Sequence, residues 1–199
     1  NVILNPTTID TEKIHDRALY DDLTHHPSED RQVTIGWTGS HSTLKYLERL
    51  EAVLQRMEEK YPYVSVLVIA DKPPQLRLKN LVFRPWSKET EIADLCRIDI
   101  GIMPLPDDEW TKGKCGFKAL QYMALSIPAL VSPVAVNTSI VTPGVNGYWC
   151  ESDQEWLDCL TRLIEDAPLR NSMGDAGRKT VESHYSVLSN KKNFLALFQ

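Results

Sequence analysis

The sequence predicts an α/β fold, a doubly wound parallel sheet of six strands with helices on both faces. Three observations carry this. Short β-branched apolar runs alternate with amphipathic helical stretches along most of the chain. Several runs, Val64–Ala70 (VSVLVIA) above all, are apolar at almost every position, as in strands covered on both faces. No internal repeat or low-complexity tract interrupts the alternation.

Taken in order, residues 1–31 read as a lead-in. It holds a short strand at 1–4, a turn at Asn5-Pro6 and a weak helical patch at 14–23. Residues 32–38 (QVTIGWT) form the first strand, and Gly39, Ser40, His41, Ser42 and Thr43 offer a tight turn followed by a helix N-cap. Leu44, Leu47, Leu50, Val53, Leu54 and Met57 then set one amphipathic helix running to about Lys60. After the second strand, Pro73-Pro74 breaks the chain before a strand at 81–86, a helix at 88–97 and a strand at 99–105. Residues 113–133, GKCGFKALQYMALSIPALVSP, combine a glycine-loosened loop, a buried helix and a fifth strand at 128–132. A loop through Pro143-Gly144 reaches a sixth strand at 148–151, and helices at 154–165, 169–185 and 188–198 close the chain.

Composition narrows the function. The 199 residues are 42% hydrophobic and 25% charged, an ordinary globular balance. A net charge of −5 without a basic run argues against nucleic acid or an anionic membrane as main partner. No apolar stretch reaches the roughly 18 residues of a membrane span. With neither an initiator Met nor a signal-peptide pattern, the chain is expected to be a piece of something longer and to be cytoplasmic. Cys96, Cys115, Cys150 and Cys159 lack metal-ligand spacing, and three lie in apolar runs, so a reduced protein without a metal is expected. His25-His26 falls in a polar, turn-rich stretch and reads as a solvated loop.

The chemistry gathers on the helix after Gly113. Lys114, Lys118 and Gln121 stand at i, i+4 and i+7 and share one face of an otherwise apolar element. A helix N-terminus normally attracts acids, yet no acid lies between Lys112 and Gln121. Lysines plus open backbone N–H groups suit an external anion, most often a phosphate, and Gly113 and Gly116 let the backbone approach it. The competing reading pairs the lysines with Asp107, Asp108 and Glu109. In the strand order 3-2-1-4-5-6 the switch point lies between the first and fourth strands, and ligands bind at their carboxyl ends. That places Gly39, Ser40 and Thr43 opposite Lys114, Gly116, Phe117 and Lys118. Arg84 and Trp86, ending the third strand, are candidate contacts for a nucleobase. The Gly-x-x-Gly at Gly36–Gly39 is too short for a dinucleotide fingerprint and no acid about 20 residues on is placed to hold a ribose, which argues against a nicotinamide enzyme.

Gly113 to Ala124, followed by IPALVSP and TPGVNGYW, resembles the donor-binding half of group 1 glycosyltransferases with the GT-B fold. There the pattern runs E-G-F-G-x-x-x-L-E-A-M-A, then G-x-P-V-V-A-T, then D-G-x-N-G. The resemblance extends over residues 33–186. It implies a Rossmann-like half of a GT-B fold, a nucleotide-diphosphate-sugar donor such as a UDP- or GDP-sugar, and retaining transfer without a metal or cofactor, as in polysaccharide biosynthesis. It implies a linker role for 1–31, a nucleotide-sugar-binding domain at 32–186 and a C-terminal helix at 187–199 that packs back or toward an N-terminal, acceptor-binding domain. That absent domain is the expected partner, and through it the protein would sit peripherally at a membrane. Lys118 and Lys114 take the catalytic role of steadying the departing diphosphate. Gly39, Ser40, Thr43, Arg84, Trp86, Gly116, Phe117 and Gln121 take the donor-binding roles.

Departures accompany the likeness. The family's two glutamates align with Gly113 and Gln121, its Arg and Lys beyond the first strand with Trp37 and Ser42, and a third acidic position with Ser139. Gln121 keeps hydrogen-bonding capacity for the ribose without the charge. Three alternatives therefore stay open. One is a non-catalytic nucleotide-sugar-binding homologue. Another is half of a nucleotide-sugar epimerase, for which His41 is the sole candidate acid or base. The third is a receiver-like regulatory domain, against which Gly36-Trp37-Thr38 and Arg84-Pro85-Trp86 stand where acidic residues would be needed.

Overall fold

The computed structural model describes residues 5–23 and 32–198. The expected strand at 1–4 and the His25-His26 loop lie outside them. Six strands, β1 (Val33–Gly39), β2 (Val64–Ala70), β3 (Leu81–Pro85), β4 (Ile100–Met103), β5 (Ala129–Val131) and β6 (Gly147–Trp149), form one parallel sheet. Their order is β3-β2-β1-β4-β5-β6, the doubly wound, Rossmann-like arrangement expected from the sequence.

Strand alternation sorts the core onto two faces. On β2, Val64, Val66, Val68 and Ala70 join one cluster with Leu47, Leu54, Trp156, Leu160 and Leu163. Leu67 and Ile69 join the other with Leu95, Leu120, Tyr122 and Met123. The first face is covered by α1 (His41–Glu48), α2 (Glu51–Lys60) and α7 (Asp153–Glu165). The second is covered by α3 (Glu91–Leu95) and α5 (Phe117–Ala124), with α8 (Ala167–Thr180) packed behind α5. Short helices α4 (Glu109–Lys112) and α6 (Asn137–Ile140) occupy loops, and α9 (Val187–Leu195) ends the fold.

The single helix expected after the first strand is two, broken at Arg49-Leu50. Its apolar residues at 44, 47, 50 and 53 recur every third position, which drifts about 60° per step around a 3.6-residue helix. The break resets the phase, so Leu47, Leu50, Val53 and Leu54 are all buried. The expected helix at 88–97 shortens to α3, with Ser87 and Thr90 making a turn before it. The expected helix at 169–185 begins earlier, capped by Asp166, and widens into a π-helical turn at Val181–Tyr185. There Ile9 docks: its N–H donates to the Tyr185 carbonyl at 2.8 Å and its carbonyl accepts from Val187 N–H at 3.0 Å. Arg178 reaches back to the carbonyls of Thr11, His15 and Ala124, tying residues 5–23 to the domain.

The centre of the sheet opens where it must hold a site. β1 and β4 share the register pairs Ile35↔Ile100 and Gly36↔Gly101, then part. Tyr122 fills the fork. Thr38 N–H donates to its hydroxyl oxygen at 3.1 Å, and that hydroxyl donates to the Ile102 carbonyl at 3.4 Å. The ring lies against Gly101, where an added Cβ would come within 2.4 Å of it. Tyr122→Phe leaves two buried backbone groups unpaired and is expected to lower the urea-unfolding free energy by about 1–3 kcal/mol. An unchanged midpoint and slope would show that the hydroxyl does not bridge the strands.

Candidate functional site

The fork at the top of β1 and β4 is faced by two loops. One leaves β1 through Gly39 and Ser40 into α1, and the other descends from α4 through Gly113 to Gly116 and enters α5. Gly116 is the N-cap of α5 in a left-handed conformation, φ +70°, and a Cβ there would lie 2.3 Å from Ile140 Cδ1. Among the described residues no side chain caps α5, whose first N–H groups have no partner within the helix. Lys118 Nζ sits 5.0 Å from the centroid of the buried Trp37 ring, joining α5 to β1 across the fork. Lys114 Nζ stands 5.8 Å from the Tyr46 ring on α1.

Between these elements lies a cleft of about 390 Å³. Of the residues singled out in the sequence it brings together Gly39, Ser40, Trp86, Phe117, Lys118 and Gln121. Gly116 is buried just beneath Phe117, and Lys114 is close enough to repel Lys118. Thr43 and Arg84 are engaged elsewhere. The Thr43 hydroxyl accepts from Ser40 N–H at 3.3 Å and donates to the Ser40 carbonyl at 2.9 Å, closing the start of α1. Arg84 pairs with the buried Asp94 at 2.9 Å. Two carboxylates not singled out in the sequence, Asp71 and Glu91, also line the cleft. Asp71 directly follows β2, so the topology could have flagged it; Glu91 carries no local signal.

The charges are sorted. Lys112 is drawn off by Asp107 at 3.5 Å and Glu109 at 3.6 Å, the competing pairing considered above. Lys114 and Lys118 form no ion pair with any described carboxylate. Desolvation, then repulsion from Lys114, pulls the Lys118 ammonium down to about 8. Asp71 occupies the start of α1, its Oδ1 accepting from His41 N–H and its Oδ2 lying against His41 Nδ1, both at 2.5 Å. Hydrogen bonding to His41 holds the Asp71 carboxyl below its ordinary range. The N-terminus of α1 is therefore already supplied with an anion, whereas that of α5 is not. A second cleft of about 430 Å³ is lined by Arg49 with Asp107, Glu151 and Asp153. The neighbouring start of α7 is closed by Ser152 and Glu155, so no open helix N-terminus faces an anion there.

Comparison with known proteins agrees with this architecture. The family model described as "Glycosyl transferases group 1" matches residues 25–180. A C-terminal domain of a glycosyl transferase group 1 family protein (LpcC) from Francisella tularensis is 22% identical, with a TM-score of 0.67 over 90% of this chain and 99% of that one. WaaG, a glycosyltransferase involved in lipopolysaccharide biosynthesis, is 16% identical, with a TM-score of 0.73 over 98% of this chain and 55% of that one. Alr3699/HepE from Anabaena, solved in complex with UDP and glucose, is 14% identical, with a TM-score of 0.71 over 96% of this chain and 55% of that one. The chain thus spans about half of the two longer proteins. No curated protein matches the sequence. No described helix is long and apolar enough to cross a membrane. The family match covers most of the chain, and the fold agrees with it: this chain belongs to the group 1 glycosyl transferases.

Proposed function

We propose that the chain is the donor-binding domain of a retaining glycosyltransferase that takes a nucleotide-diphosphate-sugar and needs neither metal nor cofactor. One observation carries the reading: Lys118, without a carboxylate partner, stands at the uncapped start of α5 and over Trp37, facing Ser40 across the cleft. A diphosphate there receives the α5 N–H groups, the helix dipole and the charges of Lys118 and Lys114. These same groups stabilise the negative charge that grows on the diphosphate as the sugar leaves, the task a divalent cation performs elsewhere. Trp86 and Phe117, both partly exposed at the cleft, offer flat faces to the base. A UDP-bound relative with this fold supports the donor class. The acceptor would be held by an N-terminal domain of the same polypeptide, consistent with the greater length of the relatives, in the cytoplasm or at a membrane surface. The absence of carboxylates at Gly113 and Gln121 favours, as a second reading, a homologue that binds the donor without transferring it.

UDP-, GDP- or ADP-sugars are expected to raise the thermal midpoint in the presence of a chelator, by at least one member of the panel; a flat response to all would defeat the donor reading. Lys118 also makes affinity pH-dependent. Below about 8 its ammonium is present and available to the diphosphate. From there toward its ordinary 10.5, the folded unliganded protein has shed a proton that the unfolded chain keeps, so stability rises with pH across this window. Bound diphosphate restores the charge. Calorimetry near pH 8 in buffers of different ionisation enthalpy should therefore show proton uptake on binding, and affinity should fall as pH rises further. In Lys118→Met the uptake should vanish and the affinity above pH 8 should lose this slope. Equal uptake by both proteins would remove Lys118 from the diphosphate site.

A further inference from the structure

Gln121 is almost completely buried, yet its amide is not idle: Nε2 donates to Glu91 Oε1 at 3.1 Å, joining α5 to the start of α3 across the wall of the cleft. Glu91 lines the cleft and forms no ion pair with any described cation, although its charge also acts on the buried His15. We infer that Glu91, held in place by Gln121, is the carboxylate that grips the ribose hydroxyls of the bound nucleotide. The inference rests on the donor-site reading above. It explains a departure in the sequence: the motif's second carboxylate is missing from α5 because one already reaches the same place from α3, thirty residues earlier in the chain.

The chemistry suits a neutral diol and not a second anion. A carboxylate accepts two hydrogen bonds from vicinal hydroxyls, and such charge-assisted bonds are stronger than those an amide makes. Along α5, Gln121 lies three residues beyond Lys118, about 4.5 Å of helix rise. This is the order of the step from a nucleotide's phosphates to its ribose, so the cation meets the diphosphate while the carboxylate meets the sugar hydroxyls. The arrangement also makes a carboxylate at both positions unfavourable, since Gln121→Glu would set two like charges within hydrogen-bond distance in a mostly buried place.

The test compares ribo- and 2′-deoxyribonucleoside diphosphates (UDP, GDP and ADP with their deoxy partners) by calorimetry on the wild type, Glu91→Gln, Gln121→Glu and the double exchange. The wild type should prefer the ribo form by about tenfold, as expected for losing a hydrogen bond to a charged group. Glu91→Gln should abolish that preference by weakening the ribo form more than the deoxy form, since the deoxy form has only its 3′-hydroxyl to lose from the carboxylate. Gln121→Glu alone should weaken ribonucleotide binding, and the double exchange, which moves the carboxylate onto α5 and the amide onto α3, should recover the preference. A ribo preference that survives Glu91→Gln, or equal loss of both nucleotide forms, would overturn the inference and leave Glu91 as a structural tie. Failure of the wild type to bind any of the six nucleotides would instead overturn the donor-site reading beneath it.

Discussion

The hydroxyl of Tyr122 is the contact on which the site depends. A doubly wound sheet opens at its switch point because the strands there lead to helices on opposite faces. The opening leaves backbone groups that cannot reach each other, and buried groups of that kind are expensive to leave unpaired. Here the groups are Thr38 N–H and the Ile102 carbonyl, and one phenol satisfies both. To do so its ring must lie flat on the sheet, which the missing side chain of Gly101 permits. Burial pushes the Tyr122 phenol well above its ordinary range, so it remains a neutral donor and acceptor. Since Tyr122 belongs to α5, the same contact fixes that helix and so sets Gly116, Phe117 and Lys118 opposite Ser40.

Around that anchor, charge is distributed so that one place stays open to an anion. The start of α1 is filled by Asp71, and Lys112 and Arg84 are consumed by acids nearby. Asp108 caps α4 through Thr111 N–H at 2.8 Å, and Ser152 caps α7. At α5, by contrast, the cap is a glycine, and Lys114 and Lys118 stand on either side of it without an ion-pair partner among the described residues. The desolvation that weakens the Lys118 ammonium is also what would make a bound diphosphate's contact with it strong, because little water competes there.

Much of this was legible in the sequence because it depends on local pattern. The apolar runs of β2 and β4 and the spacing of Phe117, Leu120, Met123 and Ala124 required only their own neighbours, and the strand order followed from general rules of α/β topology. The lysine stripe was legible for the same reason. What stayed hidden depends on residues far apart in the chain. That Arg84 turns to Asp94 and Gln121 to Glu91 is decided by how α3 seats on the sheet, which no short-range pattern encodes. The Thr43 hydroxyl was a fair candidate for a ligand contact, but its own turn used it first. The break between α1 and α2 was present as a three-residue spacing and reads as a single helix unless the phase is followed through all of it.

The most direct measurement is a titration of the isotope-labelled protein with inorganic pyrophosphate, followed through backbone amide resonances. The account predicts saturable shifts centred on Phe117, Lys118 and Ala119, extending to Ser40 and leaving Asp107, Val134 and Glu151 in the second cleft unmoved. Shifts centred on that second cleft, or no saturable shift at the start of α5, would contradict it.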